Sequence, residues 1–173
     1  MKHKLVTLTR AAWKDLIANA CGHAREGGGV LLGDLTRYGN YLVKHVTVMM
    51  HAAASKSHVR YNPEERIKAR RVASEAFELP ILGEWHTHPW PAYDVDAIAP
   101  QISDDWSDPN SDVREMEDGE LEVIVATFPS PGYKIKSGEY RIMAKVGDIR
   151  AGVEAWLRVK QGEVEPCGIK VRG

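Results

Sequence analysis

The sequence predicts one α/β or α+β domain, and three observations carry that prediction. Stretches with helical spacing alternate with short strand-like apolar runs, no internal repeat or low-complexity linker divides the chain, and 173 residues suit a domain of ordinary size with a real core. Thr9 caps a first helix whose apolar positions Ala12, Trp13, Leu16, Ile17 and Ala20 fall on one face, ending near Gly22. That helix is expected to lie on a sheet. A glycine turn, Gly27 to Gly29, leads into the apolar run Val30-Leu31-Leu32 and a hairpin partner over Tyr41 to Met50. Asn62-Pro63 opens a second helix, EERIKARRVASEAF, which feeds a strand over Ile81 to His88. Downstream, Leu121 to Phe128 reads as a buried strand and Tyr133 to Val146 as a hairpin turned at Ser137-Gly138. A last helix is predicted over Ile149 to Lys160, burying Ile149, Val153, Trp156 and Leu157.

Composition narrows the function classes. Apolar residues make up 43% and charged residues 27%, the profile of an ordered globular chain. The net charge is −1, and no lysine or arginine run is long enough to follow a phosphate backbone, so a nucleic-acid partner is not expected. Cys21 and Cys167 form no CxxC and lie far apart, which argues against both a disulfide framework and a cysteine zinc cluster. A reducing, cytoplasmic setting follows. The N-terminal MKHKLVTLTRAAWKD lacks an apolar signal core, and no window approaches the length of a membrane span, so neither export nor membrane insertion is expected.

The stretch GEWHTHPW, residues 83–90, carries the chemistry. Side chains alternate along a strand, so Leu82, Glu84, His86 and His88 are predicted on one face and Gly83, Trp85 and Thr87 on the other. Two imidazoles on one face, about 6.5–7 Å apart along the chain, can converge on one metal ion. Pro89 has no N–H to donate, which favours the end of sheet pairing there and leaves His88 beside a loop. Glu84 shares the histidine face, either as a partner to an imidazole N–H or as an exposed carboxylate. Between Asp94 and Glu122 there are eleven acidic residues against one basic residue, Arg114, and most of that run reads as solvated loop.

HTHP, preceded about sixty residues upstream by EGGGVLLG at residues 26–33, resembles the JAB/MPN metalloprotease family with its JAMM motif. The resemblance runs from about residue 9 to 146 and is closest to prokaryotic stand-alone members that act as deubiquitinase-like isopeptidases. It implies an MPN/JAB, cytidine-deaminase-like architecture over residues 1–173: an α/β (α+β) fold with a mixed, partly barrel-like β-sheet flanked by helices, and an inserted acidic loop at about 90–111. Carried over by position, His86 and His88 become zinc ligands, and Glu26 becomes the base that deprotonates the zinc-bound water. The chain departs from the family pattern at the third ligand, because Ala99 stands where an Asp is usual. Asp104, Asp105, Asp108 and Asp112 then compete. Asp112 is preferred because SDVREME provides a helix start with apolar residues following at once, and a helix N-terminus favours an ionised carboxylate. The serine that would support an oxyanion stays open among Ser103, Ser107 and Ser111.

What the resemblance implies is a zinc-dependent hydrolase that cleaves the amide bond after the C-terminal glycine of a ubiquitin-like modifier, from a target or a precursor. Zn2+ is the implied cofactor. The implied partners are the ubiquitin-like protein or its conjugates, with associated activating and conjugating enzymes; aromatic residues Trp90, Tyr93 and Trp106 mark the loop where a modifier tail would be read by strand addition. Two other readings share these residues: a zinc amidohydrolase acting on a small substrate, and a catalytically inactive MPN scaffold that binds protein partners.

Overall fold

A computed structural model describes residues 4–22, 27–49, 53–54, 59–60, 62–89, 116–129, 140–160 and 163–173. In chain order these form β1 (Leu5–Thr9), α1 (Arg10–Cys21), β2 (Gly28–Leu35), β3 (Tyr41–Val46), β4 (Ala53–Ala54), β5 (Val59–Arg60), α2 (Pro63–Phe77), β6 (Ile81–Pro89), β7 (Leu121–Pro129), β8 (Arg141–Val146), β9 (Ile149–Lys160) and β10 (Glu163–Arg172). The main sheet runs β10-β1-β3-β2-β6-β7-β9-β8, and β10 also pairs with β9. That extra pairing closes seven strands into a barrel. β9 is long enough to serve two partners along one edge, β8 over Ile149–Glu154 and β10 over Ala155–Lys160. Among the described residues β4 and β5 form a separate two-stranded sheet.

The expectation of an α/β (α+β) MPN/JAB architecture, with a partly barrel-like sheet flanked by helices, is corrected by this topology. Among the described residues most are strand, seven strands close into a barrel, and two helices accompany it. The largest single difference is Ile149–Lys160, expected as a helix and found as the strand β9. Ala151, Val153, Ala155 and Leu157 enter the core at every second residue, the period of a strand, and antiparallel pairing to β7 and β8 satisfies its backbone. Of the hairpin expected over Tyr133 to Val146, the first half and the Ser137-Gly138 turn lie outside the described residues, and Arg141–Val146 pairs with β9 across Gly147-Asp148.

The core occupies the barrel interior. Buried apolar side chains from all seven closing strands form one cluster with Ala12, Leu16, Ile17 and Ala20 of α1, a helix that touches β1, β3, β7, β9 and β10. α1 therefore joins the barrel core through one face, while Lys14, Asp15 and Ala18 stay exposed. Its ends are set locally: the Thr9 hydroxyl accepts the Ala12 N–H at 3.2 Å, and the Gly22 N–H donates to the Ala18 carbonyl. α2 starts at the expected Asn62-Pro63, with the Asn62 carboxamide accepting the Glu64 N–H, and packs on the outer face of β2 through Ala69 and Ala73. The expected strands over Ile81 to His88 and Leu121 to Phe128 are β6 and β7, and they pair in parallel.

One irregularity decides which face carries the histidines. Leu82 belongs to the interior cluster with Trp85, whereas Ile81 packs outside with Val30 and Leu32. The expected side-sharing of Leu82 with Glu84, His86 and His88 is thus corrected. A bulge places one extra residue in β6 where Leu31 pairs with Gly83 and Leu32 with Ile81. Without it, strict alternation from Leu82 would carry Glu84, His86 and His88 into the apolar interior. The bulge resets the phase and puts all three on the outer face.

Candidate metal centre

His86 and His88 stand on that outer face with their Nε2 atoms 3.0 Å apart and ring planes inclined at 50°. Two nitrogens on one tetrahedral zinc, each bound at about 2.0–2.1 Å, stand roughly 3.3–3.4 Å apart. The pair is close to that separation already. Parallel pairing of β6 with β7 brings Glu122 to the same face, and its Oε1 lies 2.7 Å from His86 Nδ1. A carboxylate only accepts, so His86 donates Nδ1–H, and Nε2 is the nitrogen left to face His88. This is the tautomer a metal ligand needs.

Glu84 takes neither role expected of it. It is buried, and its Oε1 accepts from Arg66 Nε and Arg70 Nη1 of α2, both at 2.7 Å. Arg70 also donates from Nη2 to Glu120, so the two arginines fasten α2 to β6 and to the start of β7. Burial alone would lower the pKa of Arg70; its bonds to Glu120 and Glu84 outweigh that and hold it above its ordinary value. The partner to the imidazole is Glu122 instead. Reading the acidic run as solvated is correspondingly corrected at its end, because Glu122 is only 7% exposed and Glu120 is ion-paired. Two strands away on the same face, Glu154 is buried against Arg141 at 2.5–2.6 Å. Burial raises the Glu154 pKa despite that cation, which acts in the opposite direction.

Glu26, Asp112, the competing Asp104, Asp105 and Asp108, and Ser103, Ser107 and Ser111 lie outside the described residues. So does the loop at about 90–111. Gly27, which follows Glu26, is described. Its N–H donates to Thr87 Oγ1 and its carbonyl accepts the Thr87 N–H, each at 2.9 Å, which ties the start of β2 to the residue between the two histidines. Among the described residues there is no group of three or more His, Cys, Asp or Glu side chains able to hold a metal ion. They supply two converging imidazoles and the carboxylate behind one of them. Both cysteines are free. Burial, then Glu165, pushes the Cys167 thiol up to about 12, and burial raises Cys21 as well, so neither is prepared to be a thiolate nucleophile.

Glu122 stands at the end of the acidic run, which masks it in the sequence. Its signal is to be the one carboxylate inside LEVIVATF, a strand otherwise made of apolar residues and Thr127.

No protein-family model matches the chain, and no curated protein matches it. Among solved structures, the solution structure of protein DSY2949 from Desulfitobacterium hafniense is similar over 96% of this chain and 92% of that one, with a TM-score of 0.63 and 18% sequence identity. At that identity the likeness concerns the fold alone. Among the described residues no helix is long and apolar enough to cross a membrane.

Proposed function

We propose that this chain is a zinc-dependent isopeptidase or peptidase that cleaves the amide bond after the C-terminal glycine of a ubiquitin-like modifier, in a reducing cytoplasmic setting. The observation that carries the metal reading is the convergence of His86 and His88 through Nε2, with His86 held in the ligand tautomer by Glu122. The reaction class rests on the residues that resemble the JAMM motif, EGGGVLLG and HTHP, and not on the architecture. The raised pKa values of both thiols disfavour a cysteine nucleophile, which agrees with a hydrolase that uses water.

His86, His88 and, of the competing acids, Asp112 would hold the zinc. When bound, zinc supplies a water acidified to a pKa of about 7 and an electrophile for the scissile carbonyl. Glu26 accepts the proton of the attacking water and returns it to the departing amine, the exchange a single carboxylate can perform in both directions. The bonds between Gly27 and Thr87 support that assignment, since they join the residue next to Glu26 to the histidine strand.

The test is cleavage of a ubiquitin-like protein joined through its C-terminal glycine to a reporter amine. Activity is expected in wild type, lost to a zinc chelator and restored by added zinc. Glu26→Gln should retain zinc and lose about 10²–10⁴-fold in rate. Cleavage that survives both the chelator and Glu26→Gln would contradict the proposal.

A further inference from the structure

The strand β7 carries one carboxylate within its first eight residues, at a position where burial is costly. Leu121, Val123, Ile124, Val125 and Ala126 are fully buried and apolar, and Glu122 sits among them at 7% exposure. Taking a carboxylate out of water is unfavourable unless it is well engaged. In the parallel ladder Glu122 is the direct neighbour of Glu84, a second buried carboxylate, which adds repulsion to desolvation. Glu84 is engaged by Arg66 and Arg70; the Glu122 carboxylate is turned to His86, one ladder step further along the same face. The side chains thus divide the charge. One carboxylate fastens α2, and the other addresses the histidine pair.

We infer that Glu122 is a positioning residue for the metal pair: by accepting Nδ1–H of His86 it fixes the ring's orientation and directs Nε2 toward the ion shared with His88. This rests on the zinc reading above. A histidine held at one nitrogen by a carboxylate gains basicity at the other, and its ring need not be ordered when metal arrives, so the contribution appears as metal affinity. Glutamine keeps a carbonyl oxygen that can accept the same N–H, whereas alanine keeps nothing.

The experiment has two arms on the full chain, with Glu122→Ala and Glu122→Gln compared with wild type. In the first, zinc dissociation constants come from competition with a chromogenic chelator. Glu122→Ala should weaken binding about 10–100-fold, and Glu122→Gln should recover most of that loss. In the second, the His86 ring tautomer is read by nitrogen-15 NMR in metal-free protein. Wild type and Glu122→Gln should carry the proton on Nδ1, and Glu122→Ala should not hold that preference. Unchanged zinc affinity together with an unchanged tautomer in Glu122→Ala would overturn the inference. The tautomer arm uses no metal, so a wild type that binds no zinc would overturn the zinc reading while the role of Glu122 toward His86 is still decided.

Discussion

Gly83→Ala is expected to destabilise the fold by at least about 3 kcal/mol and to abolish a single cooperative unfolding transition or soluble expression. A Cβ at position 83 would lie 1.9 Å from the Leu121 carbonyl oxygen and 2.6 Å from the Leu121 nitrogen, and φ is +150°, a backbone conformation that side chains of L-residues rarely adopt. The obstructing atoms belong to the backbone of β7, opposite Gly83 in the ladder, so relief requires β6 and β7 to separate. Gly27→Ala is the control. Among the described residues nothing lies within 4 Å of its added Cβ, and it should stay within about 0.5 kcal/mol of wild type. Urea unfolding of the two variants checks the prediction; a cooperative Gly83→Ala near wild-type stability would show that the bulge is not required.

Glu84→Ala is expected to cost about 3 kcal/mol, because it removes the buried oxygen that two largely covered guanidinium groups share. Arg66 and Arg70 have side-chain exposures of 18% and 15%, and both direct a nitrogen at the same Glu84 oxygen. Arg70 keeps Glu120 after the substitution. α2 contributes no fully buried residue of its own, so this charge cluster is a principal fastening of that helix to the barrel. Glu84→Gln keeps an acceptor and should lose less. Zinc affinity should be close to wild type in Glu84→Gln, since Glu84 engages arginines while Glu122 engages His86. Urea midpoints with unchanged slopes, together with the chelator titration, measure both effects. A loss below about 1 kcal/mol in Glu84→Ala would mean that water or neighbouring groups satisfy the arginines.

The parts of the fold legible in the sequence are those set by neighbours along the chain. Thr9 and Gly22 bound α1, Asn62-Pro63 opens α2, continuous apolar runs mark β2 and β7, and alternating side chains mark β6. What was not legible depends on partners far away. Ile149, Val153, Trp156 and Leu157 fit a helical face, yet Ala151, Val153, Ala155 and Leu157 fit a strand equally well; pairing with β7, β8 and β10 selects the second. The C-terminal strand β10, interrupted by Pro166 and Gly168, carries a weak local signal and is held by β1 and β9. The His86–His88 pair could be read from spacing, but its outward direction depends on the Gly83 bulge. Glu122 reaches His86 only because β6 and β7 run parallel across more than thirty intervening residues.

Whether His86 and His88 hold zinc is read from the zinc content of the protein purified without added metal, for wild type, His88→Ala and Asp112→Ala. About one zinc per chain is expected in wild type, with loss in both variants, consistent with three protein ligands at a hydrolytic site. Zinc kept in Asp112→Ala but lost in His88→Ala would transfer the third ligand to Asp104, Asp105 or Asp108. A wild-type chain without zinc that acquires none on titration, or one whose zinc survives His88→Ala, would contradict the account.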